Sequence, residues 1–195
     1  MTIKDSNDAW ALVTKYVQDP GLRRHMRAVA TAMCFYAGKL GYDPNYWYEI
    51  GLIHDFDWEI HPTMEEHPSA GAPLLRERNV PEEIIRAVLS HAEESGIKRE
   101  SLMEKALFAC DEITGLITAT ALVRPSRSIY DLETRSVKKK WKDRSFAAGA
   151  NREEIEQGAI EFDIDLWEHV GNVILAMRRI APQLGLAGVD SSPEE

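Results

Sequence analysis

The sequence predicts an all-α, single-domain helical bundle, and three observations lead there. Apolar residues recur at helical spacing, as in Met26, Val29, Ala30, Met33, Ala37 and Leu40. Nearly every such segment is bounded by residues that start or stop helices. Alternating β-branched runs bounded by turns are missing, as are internal repeats and low-complexity stretches. A chain of 195 residues suits one domain with short connections, able to bury about 70% of its unfolded-state surface.

The elements follow in order. Asp8 is placed to cap a first helix that stops before Asp19-Pro20-Gly21, because Pro20 disfavours helix at the preceding residue. A second runs over Leu22–Leu40, with Gly41 as its stop. Asp43 caps a third, with Pro44 in its first turn, running into His54. "HPSAGAPLLRERN" predicts a helix ending near Asn79, and "VPEEIIRAVLSHA" opens with Pro and two acids that suit the helix dipole. The longest candidate spans 101–123 and is closed by Arg124-Pro125, with 126–135 irregular or a short helix. "SVKKKWKDRSFAA" makes a short helix, and Asn151 caps "REEIEQGAIEF". Asp165 and Glu168 approximate a capping box for a final helix from about Leu166 to Leu184. The domain is expected over 1–186, with its motif core at about 20–125, its C-terminal helices over 126–186 and a disordered tail over 187–195.

Composition narrows the classes. Hydrophobic content of 44% and charged content of 28% are ordinary for a soluble globular protein. The formal charge of −9 argues against non-specific nucleic-acid binding. It leaves room for small anionic ligands, since a local cation or bound metal reverses the field inside a cleft. Cys34 and Cys110 match no C-x-x-C pattern and read as free thiols in a reducing compartment. No segment has the sustained apolar core of a signal peptide or a membrane span, so a cytoplasmic protein is expected.

The chemistry-bearing residues lie in "EIGLIHDFDWEIHP", 49–62. His54 and Asp55 directly follow the apolar Ile50, Leu52 and Ile53, where an imidazole and a carboxylate are costly to desolvate alone. They belong to an ordered set: His25, His54, Asp55, His67, His91 and Asp111. His25 stands 29 residues before His54, His67 12 after Asp55, His91 24 further on and Asp111 another 20. Each interval is about one helix plus a connection, so successive helices can bring ligands to one cleft.

These stretches carry a resemblance. His25 in "LRRHMRAVA", the doublet in "GLIHDFD", His67 in "HPSAGAPLLRE", His91 in "IIRAVLSHAE" and Asp111 in "KALFACDEITGLI" resemble the HD-domain superfamily of metal-dependent phosphohydrolases. The resemblance covers roughly 20–125, a little over half the chain. It implies that His25, His54, Asp55 and Asp111 bind a first divalent ion. His67 and His91 would complete a second site, with Asp55 bridging the two. It implies one or two ions from Mn, Fe, Co, Ni or Zn, a small phosphate ester or nucleotide as substrate, and attack by a metal-activated hydroxide. The di-iron oxygenase branch of the superfamily uses the same ligand order and is the alternative. A non-catalytic sensor or scaffold with this fold is a second alternative. Oligomeric state is left open.

Three features fall outside that pattern. Some branches carry a lysine shortly after the doublet, whereas this chain has Trp58 and no lysine in "HDFDWEIHP". Asp57 and Glu59 are candidates for proton transfer there, or plain solvated acids. "RSVKKKWKDR" holds six cations and one acid, so Lys138, Lys139, Lys140 and Lys142, with Arg124 and Arg127 before them, are candidates for a phosphate-binding arm over the cleft. The competing reading is a solvated helix face packed by Trp141. His61 and His169 receive no role, and His169 is expected at the surface.

Overall fold

A computed structural model describes residues 5–188, and among these the regular structure is helical. The helices are α1 (Ser6–Tyr16), α2 (Pro20–Leu40), α3 (Pro44–Ile53), α4 (Ala72–Arg76), α5 (Glu82–Ser90), α6 (Leu102–Leu122), α7 (Thr134–Trp141), α8 (Arg152–Glu161), α9 (Leu166–Arg178) and α10 (Ala181–Leu184). The protein is therefore all-α, as its patterning predicts.

Two long helices organise the core. α2 begins at Pro20, two residues earlier than the apolar pattern suggests, because the Asp19 carboxylate accepts from Leu22 N and Pro20 needs no donor there. It ends where Gly41 adopts φ +80°, a left-handed conformation that glycine, lacking a Cβ, adopts most readily. α6 starts with a full capping box, Ser101 accepting from Glu104 N and Glu104 accepting from Ser101 N. α3 crosses α2 closely enough that a Cβ on Gly51 would stand 2.7 Å from Ala30 Cα. α8 crosses α6 in the same way, with Gly158 against Ala109 Cα at 2.8 Å. Ile50, Ile113 and Leu116 are fully buried between these helices, each contributing roughly 1.5–3 kcal/mol through burial.

Several expected boundaries move, each for a local reason. α1 is capped by Asp5, which accepts from Asn7 N and Asp8 N, so Asp8 lies in the first turn. The helix expected from His67 is reduced to α4, because Pro68 and Pro73 remove donors from its first turns and residues 63–71 form turns instead. The final helix breaks at Ile180, since Pro182 in a continuous helix would clash with the carbonyl of residue 178. Ala187 pairs with Ser128 in an isolated antiparallel bridge, and Ile129 N donates to Leu186 O at 2.9 Å. The expected disordered tail therefore does not begin at 187, and its remainder, 189–195, lies outside the described residues. No helix among the described residues is long and apolar enough to cross a membrane.

Candidate metal centre

The bundle brings the six spaced residues together from five segments. His25 comes from α2, His54 and Asp55 from the end of α3, His67 from the turns before α4, His91 from the end of α5 and Asp111 from the middle of α6. His54 and His91 occupy the C-terminal caps of α3 and α5. Their Nδ1 atoms hydrogen-bond to Gly51 O and Val88 O, in each case a carbonyl three residues back. Helix ends leave such carbonyls without intrahelical donors. One geometric device thus satisfies a helix end and fixes an imidazole.

The same logic sets all four tautomers. A carbonyl only accepts, so Nδ1 of His54 and of His91 must carry the proton. Nδ1 of His67 faces Asp57 Oδ1 at 2.9 Å, and Nδ1 of His25 faces Thr114 Oγ1 at 3.3 Å. The Thr114 hydroxyl already donates to Asp111 O at 2.8 Å, so it accepts from His25. In neutral imidazoles all four Nε2 atoms then present lone pairs to the same small space.

What they face there is carboxylate oxygen. His25 Nε2 lies 2.9 Å from Asp111 Oδ1 and 3.6 Å from Asp55 Oδ2. His54 Nε2 lies 3.2 Å from Asp55 Oδ2 and 3.5 Å from Asp111 Oδ1. On the other side, Asp55 Oδ1 is 3.2 Å from His67 Nε2 and 3.3 Å from His91 Nε2, which are themselves 3.1 Å apart. The two oxygens of Asp55 thus point into two groups, His25–His54–Asp111 and His67–His91. Lone pairs ring both spaces and no fixed donor enters, an arrangement that protons or metal cations must neutralise. His54 Nε2 is fully buried with no hydrogen-bond partner, the clearest sign that a further atom completes its environment.

The electrostatics agree. Burial alone would hold His54 neutral, yet the carboxylates of Asp55 and Asp111 raise its pKa well above the usual value. Burial likewise opposes charge on His67, but its contacts with Asp55 and Asp57 lift it to about 9. Burial works against ionisation of Asp55 and Asp111, and the neighbouring imidazoles, His54 foremost, hold both below the carboxylate range. A divalent cation would take the place of these protons. Imidazole and carboxylate donors together suit Mn, Fe, Co, Ni or Zn, and no cysteine joins the set.

The remaining candidates separate. Asp57 is not a solvent-facing acid: it is fully buried behind His67, with Gly71 packed so closely that a Cβ there would come within 2.4 Å of its Oδ2. Its place is that of a partner orienting a histidine, not of a proton carrier open to a substrate. Glu59 is engaged elsewhere, accepting from Gln18 N and Asp19 N across some forty residues and bracing the approach to α2. Lys138 lies over the Trp167 ring and Lys140 over Phe146, and none of the four lysines lines the cleft. Arg124 is tied to Asp131 and Ser136. Trp141 packs edge-on against Trp167, and Trp47 is buried and stacked on Tyr42. His169 is not at the surface. Its Nε2 donates to Ala109 O at 2.7 Å and its Nδ1 accepts from the Tyr36 hydroxyl at 2.6 Å.

The cleft in front of the cluster has a volume of about 520 Å³. Beyond the histidines and aspartates its walls include the apolar Trp58, Met64 and Leu22 and the acidic Glu94, Glu112 and Glu154. Ala147, Gly149 and Ala150 close its rim, so the stretch after the basic helix reaches the cleft although the lysines do not. Arg152 holds this rim by donating to the carbonyls of Phe146, Ala147 and Ala150. Glu112 and Glu154 were not legible as cleft residues, because only the packing of α8 on α6 brings them together. Burial, then the adjacent Asp111 charge, raises Glu112 to about 7.

Comparison with known proteins places this geometry. The family model of the HD domain matches residues 22–119. Over 103 residues the chain is 33% identical to Ribonuclease Y of Lawsonia intracellularis (strain PHE/MN1-00), covering 52% of this chain and 19% of that protein. The chain therefore spans about a fifth of that relative's length. No solved structure matches. With half the chain matched and the His/Asp cluster gathered in one cleft, the chain belongs to the HD-domain family of metal-dependent phosphohydrolases.

Proposed function

We propose that this protein is a divalent-metal-dependent phosphohydrolase acting on a small phosphate ester or nucleotide. The observation that carries the reading is Asp55, whose two oxygens face two separate groups of imidazole lone pairs. In this reading His25, His54, Asp55 and Asp111 hold one ion, and Asp55, His67 and His91 hold the other. Ions held there would supply neutralisation of phosphoryl charge and activation of a water for in-line attack.

The chain's own residues do the rest. Asp57 keeps the Nδ1 proton of His67 in place and so keeps its Nε2 available as a donor of electrons. Trp58 meets His67 edge-on, with ring centroids 5.1 Å apart, and shields that side of the cleft from water. Glu112, on the cleft wall beside Asp111, is the carboxyl placed to exchange a proton with a leaving group. Ribonuclease Y acts, by its name, on RNA. For this chain, three glutamates on the cleft wall, besides the two aspartates, and a formal charge of −9 favour a small substrate over a long polyanion.

The test is metal analysis of protein purified without chelator, followed by phosphate release from a panel of phosphorylated metabolites. Asp55→Ala should lower bound metal at both sites and abolish turnover. Activity within a few-fold of the parent, or loss of only one ion, would refute the shared carboxylate. Dioxygen consumption by iron-loaded protein, with no phosphate released anaerobically, would move the assignment to the oxygenase branch.

A further inference from the structure

A second cavity, of about 460 Å³, adjoins the metal cleft and shares two wall residues with it, His25 and Gly115. Its character is opposite. The described residues that line the metal cleft include no lysine or arginine, whereas the second cavity is lined by Arg24 and Arg127 and by no carboxylate. The two arginines come from sequence-distant places, the start of α2 and the turn after α6.

Neither guanidinium has an ion-pair or hydrogen-bond partner among the described residues. Their neighbours differ: Arg23 donates to Val17 O, Arg27 to Gln183 and Arg124 to Asp131. Arg24 and Arg127 are both solvent-exposed, and Arg24 passes Gly21 and Gly185 at ordinary contact distance, its Nη2 3.9 Å from where a Cβ on Gly21 would stand and its Cδ 4.0 Å from where one on Gly185 would stand. Arg127 is held at φ +48°, a region that residues with a side chain adopt rarely. Gly115 forms the saddle between the cavities, and no atom lies within 4 Å of the Cβ it lacks. The surface of α6 is thus unobstructed at the point where the two cavities share a wall.

Resting on the metal-site reading above, we propose that the second cavity binds a second phosphoryl group of the same substrate, so that the preferred substrate carries phosphates at both ends. The reacting phosphate sits at the metal cluster. The distal one is gripped by Arg24 and Arg127, whose planar guanidinium forks match phosphate oxygens. In a protein this acidic, two unpaired cations on a concave wall beside the cluster also steer a doubly charged ligand into register.

The experiment uses phosphonates, whose carbon–phosphorus bonds a phosphohydrolase leaves intact, so binding is read without turnover. Titration calorimetry on Mn-loaded full-length protein compares α,ω-alkane bisphosphonates of graded length with alkyl monophosphonates of equal length. One chain length should bind at least tenfold more tightly than its monophosphonate partner, and the gain should shrink as salt rises. Arg24→Gln combined with Arg127→Gln should remove that gain while leaving monophosphonate affinity, metal content and melting temperature unchanged. Gly115→Leu, which fills the saddle without replacing either arginine, should also remove the gain of the bisphosphonate over its monophosphonate partner. A gain below twofold at every length, or one that survives in the double arginine variant, overturns the proposal. Bisphosphonate selectivity in a protein that releases no phosphate from any ester would instead leave the distal site standing and remove the hydrolase reading. α,ω-Dicarboxylates that match the bisphosphonates would replace phosphate by carboxylate as the distal group and overturn the phosphoryl assignment.

Discussion

Nδ1 of His67 stands 2.9 Å from Oδ1 of Asp57, a carboxylate sealed from solvent, while Nε2 of the same ring faces Asp55 Oδ1 at 3.2 Å. One imidazole thus links a buried acid that touches nothing in the cleft to the carboxylate at its centre. Asp57 acts on the cleft only through this ring.

Asp57→Ala should therefore weaken metal at the His67–His91 position about 10- to 100-fold, the usual cost of losing such a partner. The ion held by His25, His54 and Asp111 should keep its affinity. Metal stoichiometry measured against free Mn concentration separates the two sites. Equal weakening at both would mean that Asp57 supports the whole fold and not one ligand.

Metal removal and pH should act together on stability. In metal-free protein, the pKa of His67 lies near 9, above its unfolded value of about 6.5. The stability this contributes is complete below pH 6.5 and is lost as pH rises through 9. Metal requires deprotonated ligands, so its contribution grows over the same interval. At free metal about 100-fold above the dissociation constant that contribution is about 2.7 kcal/mol. Melting curves with and without chelator should diverge as pH rises from 6.5 to 9. Parallel curves, with metal loss verified, would exclude the cluster as a metal site.

His169 gives a separate window. Burial lowers its pKa to about 4, with the Ala109 carbonyl opposing, so the folded state keeps it neutral where the unfolded chain is protonated. Stability from this residue is present above pH 6.5 and lost as pH falls through 4, up to roughly 3 kcal/mol at about 1.4 kcal/mol per pH unit. His169→Gln should flatten the melting temperature between pH 6.5 and 4, at the cost of lower stability at neutral pH. A parent-like slope in that variant would assign the acid sensitivity to other groups.

The basic helix should be quiet. Lys138, Lys139, Lys140 and Lys142 changed singly to Ala should alter the Michaelis constant by less than about twofold, under roughly 0.5 kcal/mol of binding. Trp141→Ala should lower the melting temperature, because Trp141 packs on Trp167 beneath them. A tenfold rise in the Michaelis constant for any one lysine would restore the arm over the cleft.

How much of this is legible in the sequence depends on the range of the forces involved. Asp43, Asn151 and Asp165 can be read as helix caps because the groups they satisfy lie two or three residues away. The six spaced residues can be read as a set because each interval matches a helix and its connection, and the fold does gather them. Asp57 cannot be distinguished from Glu59 in the same way. They differ only in their partners, His67 for one and the backbone of Gln18 and Asp19 for the other. His169 escapes for the same reason: a histidine next to Glu168 looks solvated until Tyr36 and Ala109 close on it. The lysines mislead because local charge density says nothing about the direction a helix faces.

The match to the HD domain stops at residue 119, but the packing does not. Gly158 of α8 presses on Ala109, His169 of α9 binds the carbonyl of that residue, and Asn151 N donates to Glu112. All three contacts converge on the turn of α6 that carries Asp111. A fragment cut at the family boundary would keep every candidate ligand and lose the clamp that sets one of them. Transplanting the ligand set into another bundle would meet the same obstacle, since the backbone beneath Asp111 is aligned by helices that contribute no ligand.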